Sequence, residues 1–234
     1  MNQKEKRAGL IAGISIIIMA MAAGFSYGYV QNKFIDIPVE MLRQNVLENK
    51  YLFFAGIAGW IVIFIMDLIV AAKLYLFFKQ GMAHLSRLTA VIRIIYTLIL
   101  GTAIYQLIAI IPLLQAPDTS FDINAQFILF NKIWSAALII FGFHLLALGY
   151  LSKRSGHIPG LLSYLLYLAG FSYVLIHSGK TFALLQPHLI NSAETILALP
   201  MALSEIILAF WLLYIAWKPG TLSKIRKSSV IRIF

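Results

Sequence analysis

The sequence predicts an all-α membrane protein, a single bundle of six transmembrane helices, and three observations carry that expectation. The first is composition: 61% of the 234 residues are hydrophobic and only 12% are charged, where soluble domains run to about 45–50% and about 25%. The mean hydropathy is +0.86. The second is pattern, because six apolar runs stand out at about 8–30, 51–78, 88–114, 127–151, 159–178 and 196–217. Each suffices to cross a hydrocarbon core of about 30 Å as a helix, and lipid offers a bare backbone no hydrogen bonds, so helices are the default spanning element. The third is where the basic residues fall.

With the N-terminus inside, the inner segments hold Lys4, Lys6, Arg7, Lys79, Arg87, Lys153, Arg154, Lys218, Lys224, Arg226, Lys227 and Arg232. The outer loops hold Lys33, Arg43, Lys50 and Lys180, while Lys73, Arg93 and Lys132 lie within the runs. Twelve against four places both termini in the cytoplasm by the positive-inside rule. A net charge of +10 therefore reads as topology rather than as nucleic-acid binding, and the partners expected are membrane lipids and a small-molecule ligand. The absence of cysteine excludes disulfides, thiolate catalysis and Cys-ligated metal.

The first run has two readings. Lys4, Lys6 and Arg7, an apolar core and Ala20-Met21-Ala22 resemble a cleaved signal peptide, but apolarity continues to Val30, which favours a retained helix. Gly9/Gly13 and Gly24/Gly28 on this run are GxxxG pairs, as Ala55/Gly59 is a small-residue pair on the second; such pairs let helix backbones approach in lipid. Their first expected use is packing within the bundle, with oligomerisation only weakly signalled. The 31–50 loop is amphipathic in places and fits a short helix at the outer surface. The 116–126 loop, with Pro117, Asp118 and Asp122 and no basic residue, fits the outer side, as does 179–195. The 218–234 tail is basic and cytoplasmic.

The informative residues are ionisable groups inside the apolar runs. Counting about 1.5 Å per residue from the flanking charges, Asp67 lies about 18 Å, Glu205 about 20 Å, His144 about 14 Å and Arg93 about 9 Å below the inner face. Four helices thus bring Asp67, Arg93, His144 and Glu205 into one band of the inner half. A mid-bilayer charge costs at least about 2.5–3.5 kcal/mol, so such groups turn inward and find partners. Ala198, Ala202 and Ala209 share a helix face with Glu205. Pro200 removes a helix hydrogen bond to Ile196 and offers a place for a polar cavity to open. Lys73, Tyr96 and Tyr150 are secondary candidates. Three readings follow: a ligand or proton pathway in which Arg93 attracts an anionic group and Glu205 or Asp67 exchanges protons; an accessory or sensory protein whose buried charges are structural; and an enzyme acting on lipid.

Enzyme motifs fail. Gly179-Lys180-Thr181 ends like a P-loop but Val174 stands where glycine is required, and there is no HExxH or GxSxG. No nucleophile accompanies Asp67, His144 and Glu205, so no catalytic residue is assigned, and neither a cofactor nor a metal site is expected. The stretch Gly149-Tyr150-Leu151 with Ser155-Gly156-His157-Ile158-Pro159, and Pro200, Glu205 and Trp211-Leu212-Leu213 in the last run, resemble a family of bacterial integral membrane proteins known as a domain of unknown function. The resemblance implies six helices in a bacterial inner membrane and carries over no activity.

Overall fold

Every apolar run is helical in the computed structural model, which describes residues 1–35, 37–184 and 186–218; the basic tail from 219 onward lies outside the described residues. The helices are α1 (Gln3–Ala23), continued by a π-helix Gly24–Val30 and a 3₁₀ turn Gln31–Lys33, then α2 (Val39–Glu48), α3 (Lys50–Leu113), α4 (Ser120–Ser155), α5 (Gly160–Phe182) and α6 (Pro187–Trp217). Among the described residues there is no strand, and five helices are long and apolar enough to cross a membrane. They outrun the apolar segments because polar ends continue the helix into water, where the side chains are solvated. α1 starts one turn before its run, on a capping box in which the Asn2 side chain accepts from the Glu5 N–H and the Glu5 carboxylate accepts from the Asn2 N–H, satisfying two donors that a helix start leaves free.

The 64 residues of α3 join the second and third runs, and they are not one rod. Asp67 and Arg93 are 26 residues apart yet in contact; a straight helix would separate them by about 39 Å. The reversal occurs at Gln80, Gly81 and Met82, where the backbone leaves helical geometry and Gly81 takes φ +81°. Legs 50–79 and 83–113 therefore run antiparallel. A Cβ at Gly81 would meet nothing within 4 Å, so Gly81→Ala tests backbone conformation alone. It should cost about 1–2 kcal/mol, the penalty of a left-handed conformation for an L-residue, measured by unfolding in detergent. An unchanged stability would mean that the reversal does not depend on this φ.

Small residues decide which helices touch. A Cβ at Gly13 would come within 2.9 Å of the Ala209 carbonyl oxygen, and one at Gly9 within 3.1 Å of the Phe77 ring, so the first half of α1 packs against α6 and α3. Gly24 and Gly28 do not follow the packing expectation: a Cβ there would meet nothing within 4 Å among the described residues, because the first helix and α6 part beyond the level of Gly13 and Ala209. The α4–α5 seam is tighter still, with Gly142 and Gly170 facing each other. At the end of the bundle opposite the N-terminus, α2 buries Leu42 and Val46, as its amphipathic sequence anticipates. There Arg43 donates to the Leu114 carbonyl (2.9 Å) and Ser120 to the Glu40 carbonyl (3.1 Å). The loop after α4 closes the N-terminal end: Gly156 is left-handed (φ +66°) and Trp211 of α6 donates its indole N–H to the His157 carbonyl at 2.9 Å.

A buried charge cluster at the floor of a cavity

Asp67, Arg93, His144 and Glu205 meet at the centre of the bundle. Counted from the N-terminal-side ends of their helices at about 1.5 Å per residue, all four lie about 15–18 Å deep. That is closer agreement than the flanking charges implied, since Arg87 and Lys153 sit inside their helices while Lys79 and Lys218 stand at the ends of theirs. Arg93 is the hub. Its Nε and Nη2 donate to Asp67 Oδ1 at 2.9 and 2.6 Å, and its Nη1 donates to Glu205 Oε1 at 2.6 Å. Nη1 also lies 3.1 Å from His144 Nε2, Met19 Sδ is 3.6 Å from Nη2, and the guanidinium carbon stands 5.4 Å from the centre of the Phe141 ring. Five segments (α1, both legs of α3, α4 and α6) are thereby tied to one side chain.

The hydrogen-bond partners determine the histidine tautomer. His144 Nδ1 is 3.0 Å from the Thr89 carbonyl, which only accepts, so Nδ1 carries the hydrogen. Arginine only donates, so Nε2 accepts. The imidazole is neutral and bridges a carbonyl to the guanidinium. The cluster then holds one cation and two carboxyl groups, a formal charge of −1 when both are ionised. Among the described residues Asp67 Oδ2 is buried without a partner, and such an oxygen is costly as part of a charged carboxylate.

A cavity of about 630 Å³ ends on this cluster. Of the four residues only Glu205 reaches it, with 11% of its side chain exposed, whereas the Asp67 and Arg93 side chains are wholly buried and His144 is 1% exposed. Arg93, which the pathway reading has attracting an anionic group, is instead sealed behind Asp67 and Glu205, to which it donates. The cavity extends from Glu205 between the diverging parts of α1 and α6, past Gly24, Gly28, Ala198 and Ala202. The alanines that share the Glu205 face thus divide, with Ala209 in the packed half and the other two on the cavity wall. Pro200 falls on the same stretch of α6, where its missing N–H removes one helix hydrogen bond.

The walls are aromatic. Trp134 makes edge contacts with Tyr27 (4.7 Å between centroids) and Trp60 (5.1 Å), and Phe141 packs on Tyr96 (4.8 Å) and Tyr173 (5.2 Å). Two polar pairs interrupt them: Ser135 Oγ with His177 Nδ1 at 3.0 Å, and a Lys180–Glu194 ion pair at 2.6 Å, each partner 34% exposed. Glu194 precedes Glu205 by eleven residues, about 16 Å along α6. Sequence reasoning missed the Ser135–His177 pair because the two residues belong to different apolar helices at no telling spacing. Among the described residues no carboxylate bonds to His177, so the pair lacks the group that orients a catalytic base.

The secondary candidates separate. Tyr96 is 5% exposed and stands in the cavity wall. Lys73 is half-buried, six residues beyond Asp67 and outside the cluster. Tyr150 is exposed and its hydroxyl accepts from Arg154 at 2.9 Å, remote from the site.

Comparisons with other proteins add no chemistry. A protein of Archaeoglobus fulgidus, described as uncharacterized, is 31% identical over 120 residues, which is 51% of this chain and 64% of the relative. The chain thus covers just under two thirds of that relative's length. No solved structure matches. Residues 11–216 match the family described as "Domain of unknown function (DUF4386)", and since that span is most of the sequence, the chain belongs to the DUF4386 family.

Proposed function

We propose that this protein binds, and in transport-like fashion conducts, a small molecule through the cavity above the charge cluster. In this reading the chain crosses the cytoplasmic membrane, a bacterial inner membrane, six times. Each leg of α3 is one crossing, α1 is retained, and both termini lie in the cytoplasm; the twelve-to-four distribution of Lys and Arg supports that orientation. One observation carries the function: the cavity of about 630 Å³ ends on the single partly exposed member of an otherwise sealed ionic cluster. Pockets of about 300–1,000 Å³ with apolar walls and a few convergent polar groups are the usual form of a ligand site.

The test is thermal stability of the purified protein against a panel of metabolites and lipids, comparing wild type with Glu205→Gln. A ligand at 100 times its dissociation constant stabilises by about 2.7 kcal/mol, and that gain should vanish in the variant. Stabilisation of both forms alike would move the site away from the cluster. A second reading, that the cluster is purely a structural lock, draws support from the complete burial of Asp67 and Arg93. It predicts no ligand and a variant that is merely less stable.

A further inference from the structure

We propose that the ligand class of this cavity is an organic cation, a substituted ammonium with an apolar body, held by Glu205 and the aromatic walls. The inference rests on the cavity being a binding site and adds what kind of molecule enters it. Three observations converge. The only cation of the cluster, Arg93, is turned inward and saturated by two carboxylates, so the charge presented to the cavity is the Glu205 carboxylate. The cluster holds two carboxyl groups against one guanidinium, with His144 held neutral by its partners, so it supplies no second cation to Glu205, and a carboxylate taken out of bulk water calls for a positive partner. The Lys180–Glu194 pair at the far end is internally neutral and changes nothing in that count. The walls, meanwhile, are built of Tyr27, Trp60, Trp134, Tyr96, Phe141 and Tyr173, and aromatic faces attract cations through their quadrupoles, most of all desolvated ones. An anion would meet a carboxylate and six rings, each with a negative face.

The experiment uses three probes of one shape in detergent: benzyltrimethylammonium, its neutral isostere neopentylbenzene, and the anion benzylsulfonate, each followed by equilibrium binding and thermal shift. The cation should bind wild type at least tenfold more tightly than either other probe and lose at least tenfold in Glu205→Gln. Should that variant fail to fold, Trp134→Leu, away from the charges, should weaken the cation more than the neutral probe. Gly24→Phe, which projects a ring into open cavity, should abolish binding of every probe. Equal binding of the neutral probe, unaffected by Glu205→Gln but abolished by Gly24→Phe, would overturn the cation and leave the cavity as a site. No binding of any probe would remove both. A repeat in phosphatidylglycerol nanodiscs, with and without phosphatidylethanolamine, separates the two sources of ammonium: a competing lipid headgroup lowers the apparent affinity of the cation, and a free solute leaves it unchanged.

Discussion

Replacing Arg93 with leucine should cost about 3–5 kcal/mol, the range measured when one partner is removed from a buried ionic group. Asp67 and Glu205 would be left as two carboxyl groups with no cation, and His144 Nε2 would lose its donor. Both wholly buried partners are 2.6 Å apart, so water cannot replace the guanidinium without opening the bundle. The control is to remove the charges together: Arg93→Met with Asp67→Leu and Glu205→Met should recover most of the loss, since buried ionic groups are often replaceable by apolar ones of similar volume. Detergent-solubilised thermal unfolding reads both variants. Wild-type stability and binding in Arg93→Leu would show that the cluster neither locks the helices nor supports a site.

A comparable loss is expected at the α4–α5 seam, for a purely steric reason. A Cβ on Gly170 would stand 2.8 Å from the Gly142 carbonyl oxygen and 2.9 Å from the Leu146 backbone nitrogen; one on Gly142 would stand 2.8 Å from the Gly170 oxygen. These are backbone atoms, which cannot swing aside. Gly170→Leu must force the two helices apart and should cost at least the 1–3 kcal/mol typical of overpacking, with Gly170→Ala already destabilising. Gly24→Ala is the contrast, since its backbone is helical (φ −57°, ψ −39°) and the space is open; it should leave stability unchanged or raise it. Equal behaviour of Gly170→Ala and Gly24→Ala in thermal unfolding would contradict the assignment of one glycine to a seam and the other to a cavity wall.

The two glycine pairs of the first apolar run show how far sequence reasoning reached. Gly9/Gly13 and Gly24/Gly28 are the same motif, and the spacing says only that both can admit a close neighbour. Which pair receives one depends on where α6 diverges from α1. The Gly142–Gly170 approach went unnoticed because its residues are single glycines on two different helices, and no local pattern couples them.

The charges divide in the same way. That Asp67, Arg93, His144 and Glu205 turn inward was legible residue by residue, because an ionised group facing lipid is expensive anywhere along a span. Their common depth followed from helical rise. Composition and run length determined a helical membrane protein without further help, since solvent polarity acts on each segment independently. Only the tertiary structure decided that Arg93 is sealed while Glu205 reaches the cavity, that Gly81 turns one long helix back on itself, and that the cavity lies above the cluster with aromatic walls. Those features depend on the rotation and crossing of helices far apart in the chain, which periodicity within any one helix does not encode.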